Sequence, residues 1–500
     1  MKFSQRLRAL FGRTPQPPRM QARRFQAAQM DRLTAGWFAT EQSINEELRG
    51  DLNAIRRRGR ELRKNNDYAK KFTGMVEDNI IGPLGITYQA RVMNKPGEPD
   101  ELANNAIESA WDRWKRVADV TGKQHFDDMC RTMVGGLTSD GEFLVREVIG
   151  PDAGNEFNYA LQLIDVDRID TTYNVAAATP GGNAIIMGIE VTQYRQPVAV
   201  HLFAGHPSDG QHSNRTRVRV PLDGMIHAFK VEYPDQLRGI PWMAPGMLSL
   251  HHLGSFKLAA LLAAEHGANH YGFFTTPDGE APIGQQDAET QEQISTSQPG
   301  VYDTLPTGVQ FTPHESKYPN DVFGPFVKTT GQRIASGWRV SYNSLFNDLE
   351  GVNFSSIRSG TLEDRDRWRG DQRWFINVLL ERIHPNWMRQ AMLASAITMP
   401  NGSALPLAKL SKFMAHEWQP RSWDWVDPEK DINAIVTAIN AGVLTPQAAA
   451  AMRGTDYFDN ITQIAAAQKL AATNGVTLTA YLPKGAAAAA AQQPPAPPPK

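Results

Sequence analysis

The chain has 500 residues, 41% hydrophobic and 21% charged, with a formal net charge of -1. That length and hydrophobicity suffice for one large core or roughly two or three smaller ones and exclude disorder as the default, while near-neutrality excludes a protein that coats nucleic acid through bulk charge. The single cysteine, Cys130, excludes an intrachain disulfide and a cysteine zinc site, and fits a reducing compartment.

Lys2, Arg6, Arg8, Arg13, Arg19, Arg23 and Arg24 all precede the first acid, Asp31. Arginines interrupt every apolar run there, so a secretion signal is not expected. Residues 1–40 read as a basic flexible arm with a short amphipathic helix at 3–11, or alternatively as a membrane-surface anchor. Ile44, Leu48, Leu52, Ile55 and Leu62 keep helical spacing over residues 42–66, with Arg56, Arg57, Arg58, Arg60, Arg63 and Lys64 toward the end. Positive charge suits a helix C-terminus, so the plain reading of this cluster is a solvated helix end and the sharper one is nucleic-acid contact.

Further helices are predicted at 68–81, closed by Gly82-Pro83, and at 100–117, where Trp111 and Trp114 are core anchors. Strand-like runs follow at 141–149, 159–166, 184–194, 198–203, 217–220 and 225–229. Helices backing an antiparallel or mixed sheet make an α+β body over residues 41–242. Arg215, Arg217 and Arg219 share one face of a run that reads as a guarded sheet edge.

Pro241-Trp242-Met243-Ala244-Pro245 stops that body, and Pro245 suits the first turn of a new helix. Leu248, Leu250, Leu253, Leu258, Leu261 and Leu262 give it a broad apolar face up to residue 270. About 26 residues at roughly 1.5 Å each make a rod of about 39 Å. His251, His252 and Lys257 near its middle point to a protein-packed helix rather than a bilayer span, so no membrane is expected. His266 and His270 lie one turn apart without a third ligand nearby, too few for a metal site.

Residues 271–316 contain no Lys or Arg, whereas Asp278, Glu280, Asp287, Glu289, Glu292, Asp303 and Glu315 are acidic. In a neutral chain such segregation predicts either a surface that repels or selects a charged partner, or a solvated acidic loop. Lys328, Arg333 and Arg339 then return on a second helix at 322–338, where Phe326, Thr330 and Ile334 repeat every four residues. An element that leaves the body, turns and comes back has this pattern. Residues 343–354, including Asn343, Asn347, Asp348, Glu350 and Asn353, read as a polar loop. A third long helix runs from 355 to 382, charged first and apolar later, until Pro385 interrupts it. Short helices are expected at 431–440, 446–453 and 460–472, and the Ala, Gln and Pro tail from 485 is too low in complexity to pack.

Gly122-Lys123 lacks the flanking residues of a phosphate-binding loop, and neither G-x-S-x-G nor H-E-x-x-H occurs. Paired carboxylates such as Asp127-Asp128 and Glu46-Glu47 are too common on helices to mark acid/base chemistry. No catalytic constellation, cofactor or metal is therefore expected, and the chain does not read as an enzyme.

Several segments carry a resemblance. They are Gln236-Leu237-Arg238-Gly239-Ile240-Pro241-Trp242-Met243-Ala244-Pro245, Ile334-Ala335-Ser336-Gly337 with Ser341-Tyr342, Asn353-Phe354-Ser355-Ser356-Ile357-Arg358-Ser359-Gly360, and Trp425-Val426-Asp427-Pro428. Support comes from Asn65-Asn66-Asp67-Tyr68-Ala69-Lys70, residues 79–82, and Leu161-Gln162-Leu163-Ile164-Asp165 with Arg168. In this order, over residues 40–475, the set resembles the lambda-type portal proteins of tailed bacteriophages. Trp338-Arg339 departs from the small apolar residue and Gly usual there.

The resemblance implies a ring of about twelve subunits at one capsid vertex, the channel for packaging and ejecting double-stranded DNA without sequence preference. It implies an α/β wing over 41–242, stem helices at 243–270 and 321–340 with Lys328, Arg333 and Arg339 toward the lumen, and a clip at 271–320. Asp278, Glu280, Asp287, Glu289 and Glu292 of the clip would meet the terminase large subunit and later a head-completion or adaptor protein. A tunnel loop at 341–354 would present Asn343, Asn347, Asp348, Glu350 and Asn353 to DNA. A long helix and wing completion at 355–427, a helical crown at 428–475 and a disordered tail at 476–500 would follow. A major capsid or scaffold protein would be the remaining partner, with assembly in the host cytoplasm and residence in the virion. The rivals are a DNA-acting enzyme such as a nuclease, which needs a metal-binding carboxylate cluster, and a capsid subunit that forms no channel.

Overall fold

The computed structural model describes residues 41–96, 98–268, 272–275, 285–286, 293–294, 310–313, 322–350, 354–423, 428–453 and 455–476. The expected basic arm and terminal tail lie outside these residues.

Four helices build the first layer: α1 (Ile44–Asn65), α2 (Asp67–Ile80), α3 (Glu101–Lys115) and α4 (Phe126–Ser139). Asn66 breaks α1 from α2 by serving both, closing α1 and accepting the Tyr68 and Ala69 amides on its side chain at 3.0 and 3.1 Å. Such capping satisfies donors that a helix start leaves orphaned. Phe72, Val76 and Ile80 of α2 share a core with Met129, Met133 and Leu137 of α4. Trp111 and Trp114 are buried as expected, and the Trp114 indole donates to the Tyr159 carbonyl at 2.8 Å.

Among the described residues the two larger sheets are antiparallel. In one, Glu142–Ile149 lies between Met225–Phe229 and Tyr159–Ile164. The other is a four-stranded meander of Ala184–Ile186, Ile189–Val191, Pro197–Phe203 and Arg217–Pro221, the last at its edge. The 184–194 run, read from sequence as one strand, is thus a hairpin. It folds at Met187 (φ 48°) and Gly188 (φ 80°), two left-handed residues of the kind a tight hairpin needs. A short pairing of Thr87–Ala90 with His416–Gln419 ties the end of the body to its beginning.

The basic cluster of α1 divides. Arg57, Arg58 and Lys64 are exposed, but Arg56 is buried and pairs with Glu142. Arg60 holds Asp140, Asp165 and Asp167 at 2.5, 2.7 and 2.7 Å. Arg238 and His227 reach the same Glu142 carboxylate at 2.6 and 3.0 Å. Burial alone would raise the Glu142 carboxyl, but Arg238, Arg56 and His227 hold it well below the usual range. The solvated-end reading therefore fails for Arg56 and Arg60, whose charges fasten α1 to the sheet.

From this base rise α5 (Met247–Ala268) and α6 (Phe323–Gly337). They run antiparallel, with Phe256 of α5 stacked on Phe323 and edge-on to Phe326, at centroid distances of 5.6 and 4.9 Å. At the base, the Trp338 indole donates to the Met243 carbonyl at 3.0 Å and packs on Gly246, where a Cβ would come within 2.6 Å of it. Between the rods, Gly272–Thr275 pairs with Gln310–Pro313, and Gln285–Gln286 with Gln293–Ile294.

A short α7 (Tyr342–Phe346) precedes α8 (Phe354–Phe375), which continues into α9 (Glu381–Leu393). Pro385 does not end this rod. A π-helical turn at Ile376–Leu380 closes just before Glu381, whose carbonyl a regular helix would aim at the missing Pro385 N–H, and the widened turn absorbs the mismatch. Helices at Pro428–Asn440, Pro446–Ala451 and Tyr457–Thr473 are the last among the described residues.

Candidate nucleic-acid interface

The candidate residues converge where α6 returns to the body. Ser341 opens the connection, its amide donating to Asp364 at 3.3 Å and its hydroxyl to Ser344 at 2.7 Å. Part of the expected polar loop is helical instead, because Tyr342, Leu345 and Phe346 have a core to cover: Leu345 is fully buried, and Phe346 packs on Tyr342 and Tyr68 at 5.0 and 4.2 Å. Asn343 sits half-buried on that helix. Asn347 ends it with φ 56° in the left-handed conformation that Asn tolerates better than most residues. Gly331 of α6 makes the room, since a Cβ there would lie 2.8 Å from the Tyr342 ring and 2.9 Å from that of Phe346.

Three basic residues meet this corner. The Lys71 ammonium donates to the Asn347 side chain. Lys328 pairs with Asp348 at 3.2 Å and lies 5.9 Å from the centre of the Tyr342 ring. Lys257 of α5 donates to the Tyr68 hydroxyl at 2.8 Å. The Asp348 carboxylate also accepts the Glu350 amide at 3.0 Å, and that bond, followed by Lys328, holds its pKa below the ordinary value. Burial, then the hydrogen bond to Asp348, pushes the Tyr342 hydroxyl up to about 12.

The structure therefore brings Lys328, Asn347 and Asp348 together. Glu350 joins them only through its backbone amide, and its side chain, Arg333 and Arg339 are exposed. Arg339 lies just beyond the C-terminus of α6 with φ 57°, its carbonyl accepting from Arg367. Asn353, Asp278, Glu280, Asp287, Glu289 and Glu292 lie outside the described residues. Sequence reasoning missed Lys71, Tyr68 and Tyr342 as parts of the site. A glycine inside a helix, at Gly331, is the signal that marks where their rings approach.

The outer face of the rods is apolar and uncovered: Leu248, Leu258, Leu261 and Leu262 of α5 are 45–70% exposed, and Phe326 of α6 is 50% exposed. α5 is long and apolar enough to cross a membrane by length and composition alone. As for a nuclease-like centre, Asp165, Asp167 and His206 approach as metal ligands do. Arg60 donates to both carboxylates at 2.7 Å, so a guanidinium already fills the place of a cation.

The family described as phage portal protein, lambda family, matches residues 30–372. The chain is 34% identical over 484 residues to a probable portal protein of Halomonas phage phiHAP-1, covering 93% of this chain and 91% of that one. It is 20% identical over 458 residues to portal protein B of Escherichia phage lambda, covering 84% of each. Among solved structures, the neck of an empty gene transfer agent particle computed with C6 symmetry is 13% identical with a TM-score of 0.43, covering 81% of this chain and 93% of that chain. The native neck computed with C12 symmetry gives 0.42 at 13% identity, covering 79% and 91%.

Proposed function

The chain belongs to the lambda family of phage portal proteins, and from that premise we propose that its subunits close into a ring of about twelve around a hole that passes duplex DNA. As a portal protein it is the head-tail connector and its DNA channel, a structural rather than an enzymatic component. The observation that carries the ring is the α5–α6 hairpin, which covers one face of each rod and leaves Leu248, Leu258, Leu261, Leu262 and Phe326 for neighbouring copies.

In this reading α5 and α6 are the stem, residues 41–242 with 355–427 the wing, 341–354 the tunnel loop and 428–475 the crown. Residues 271–320 are the clip, where Asp278, Glu280, Asp287, Glu289 and Glu292 meet the terminase large subunit and later an adaptor protein. The wing faces the capsid or scaffold protein. The ring assembles in the host cytoplasm and stays at the portal vertex of the virion.

Duplex DNA carries one negative charge about every 1.7 Å of axis, so a lumen of unpaired Lys and Arg repeated around a ring would trap it. Sliding needs weak contacts without base readout. An acidic clip and a loop of Asn347 and Asp348 supply these, Arg333 and Arg339 brush phosphates, and force comes from a separate ATPase. End views of the purified protein by negative-stain microscopy test the ring: annuli with a central hole are expected, and monomers or closed shells overturn it. ATP hydrolysis by the protein alone would refute the passive role.

A further inference from the structure

Lys328 is a stem-lumen candidate whose charge is already answered within its own subunit. The Asp348 carboxylate that answers it sits on the connection after α7, not on a stem helix. We propose that Asp348 is a latch that masks Lys328 from the phosphodiester backbone of duplex DNA while the 347–350 segment is docked, and that undocking this segment turns Lys328 into a phosphate contact. The proposal rests on the channel reading above.

The docked segment is held at named points. Lys71 takes Asn347, Lys328 takes one Asp348 oxygen at 3.2 Å, and the Glu350 amide takes the other at 3.0 Å. The Asp348 carboxylate also acts on the Tyr342 hydroxyl, helping to push its pKa up. The left-handed Asn347 turns the chain so that Asp348 points back at α6. Lys328 nonetheless remains 47% exposed, so a second anion can reach its ammonium from the open side. An exposed ion pair of this kind is weak and salt-sensitive, and the dense charge of a duplex competes with it. Each subunit of a ring repeats the pair. Docked segments leave this level of the lumen nearly neutral, and displaced ones add one cation per subunit that displaces.

The test uses full-length rings and a short duplex, with binding followed by fluorescence anisotropy across a salt series. Asp348→Asn is expected to tighten binding at low salt and to steepen the plot of log affinity against log salt by about 0.9 for each phosphate newly contacted. Asp348→Asn combined with Lys328→Gln is expected to return both to wild-type behaviour. An unchanged slope in Asp348→Asn rings, or a double variant as tight as the single one, overturns the latch while the channel reading stands. Failure of the wild-type protein to form rings overturns both. Tyr342→Phe removes a polar neighbour of the Asp348 carboxylate but no charge. It should move the slope the same way by less, and it decides the matter if Asp348→Asn rings do not assemble, with no shift counting against the latch.

Discussion

Arg339 carries a side chain in a backbone conformation that disfavours one. With φ 57° it is left-handed, a state that costs most L-residues roughly 1–2 kcal/mol, and its side chain is exposed. Arg339→Gly is therefore expected to raise unfolding stability by about 1 kcal/mol, read as a higher urea midpoint; a lower midpoint would count against the strain. His384 is the opposite case, buried beneath Tyr88, whose hydroxyl lies 3.0 Å from its Nε2. Burial, then neighbouring His416, pushes its pKa from 6.5 to about 3. The unfolded chain takes up this proton first, so the contribution is complete above about pH 6.5 and is lost as pH falls toward 3, at most about 5 kcal/mol. His384→Gln should flatten that acid limb, most clearly above about pH 5, where ordinary carboxylates stay ionised. At this scale the sequence says little. Arg56 and Arg58 look alike in a basic run, and what buries one and exposes the other is Glu142, 86 residues away.

Elements were more legible than residues wherever a long period repeats. The two rods and the helices before them were readable because apolar spacing persists over many turns. The 184–194 run failed because Met187-Gly188 is a turn that apolar alternation hides, and the Thr87–Ala90 pairing with His416–Gln419 failed because its strands are short and more than 300 residues apart. Pro385 misled because a π turn just upstream lets the helix pass. The site was half visible: Lys328, Asn347 and Asp348 could be named, but only tertiary packing shows that they meet. Gly331→Val tests that packing, since its Cβ would strike the Tyr342 and Phe346 rings. It should cost about 1–3 kcal/mol and separate Asp348 from Lys328, seen as faster proteolysis at residues 347–350 with residues 41–242 still protected.

For the whole molecule, the decisive property is a subunit whose fold closes around its body but not around its rods. Leu258 and Leu261 are 58% and 65% exposed, so Leu258→Asp with Leu261→Asp should leave the subunit's own unfolding midpoint within about 0.5 kcal/mol of wild type. The same pair should abolish rings in sedimentation, whereas rings that survive the two charges would put the intersubunit seam elsewhere. The family's shared segments made the architecture readable at this scale. Charge balance contributed the constraint that any grip on DNA must be local.

The contact of Gly246 with Trp338 reaches beyond one subunit. Copies joined front to back form a closed circle only if each is rotated by the right angle, and otherwise climb into an open spiral. The indole seated on a bare α-carbon fixes how far the two rods splay at their root, and hence the wedge angle of every segment in the wall. A single methyl group at position 246 would change that angle, and with it the match between successive segments on which closure depends.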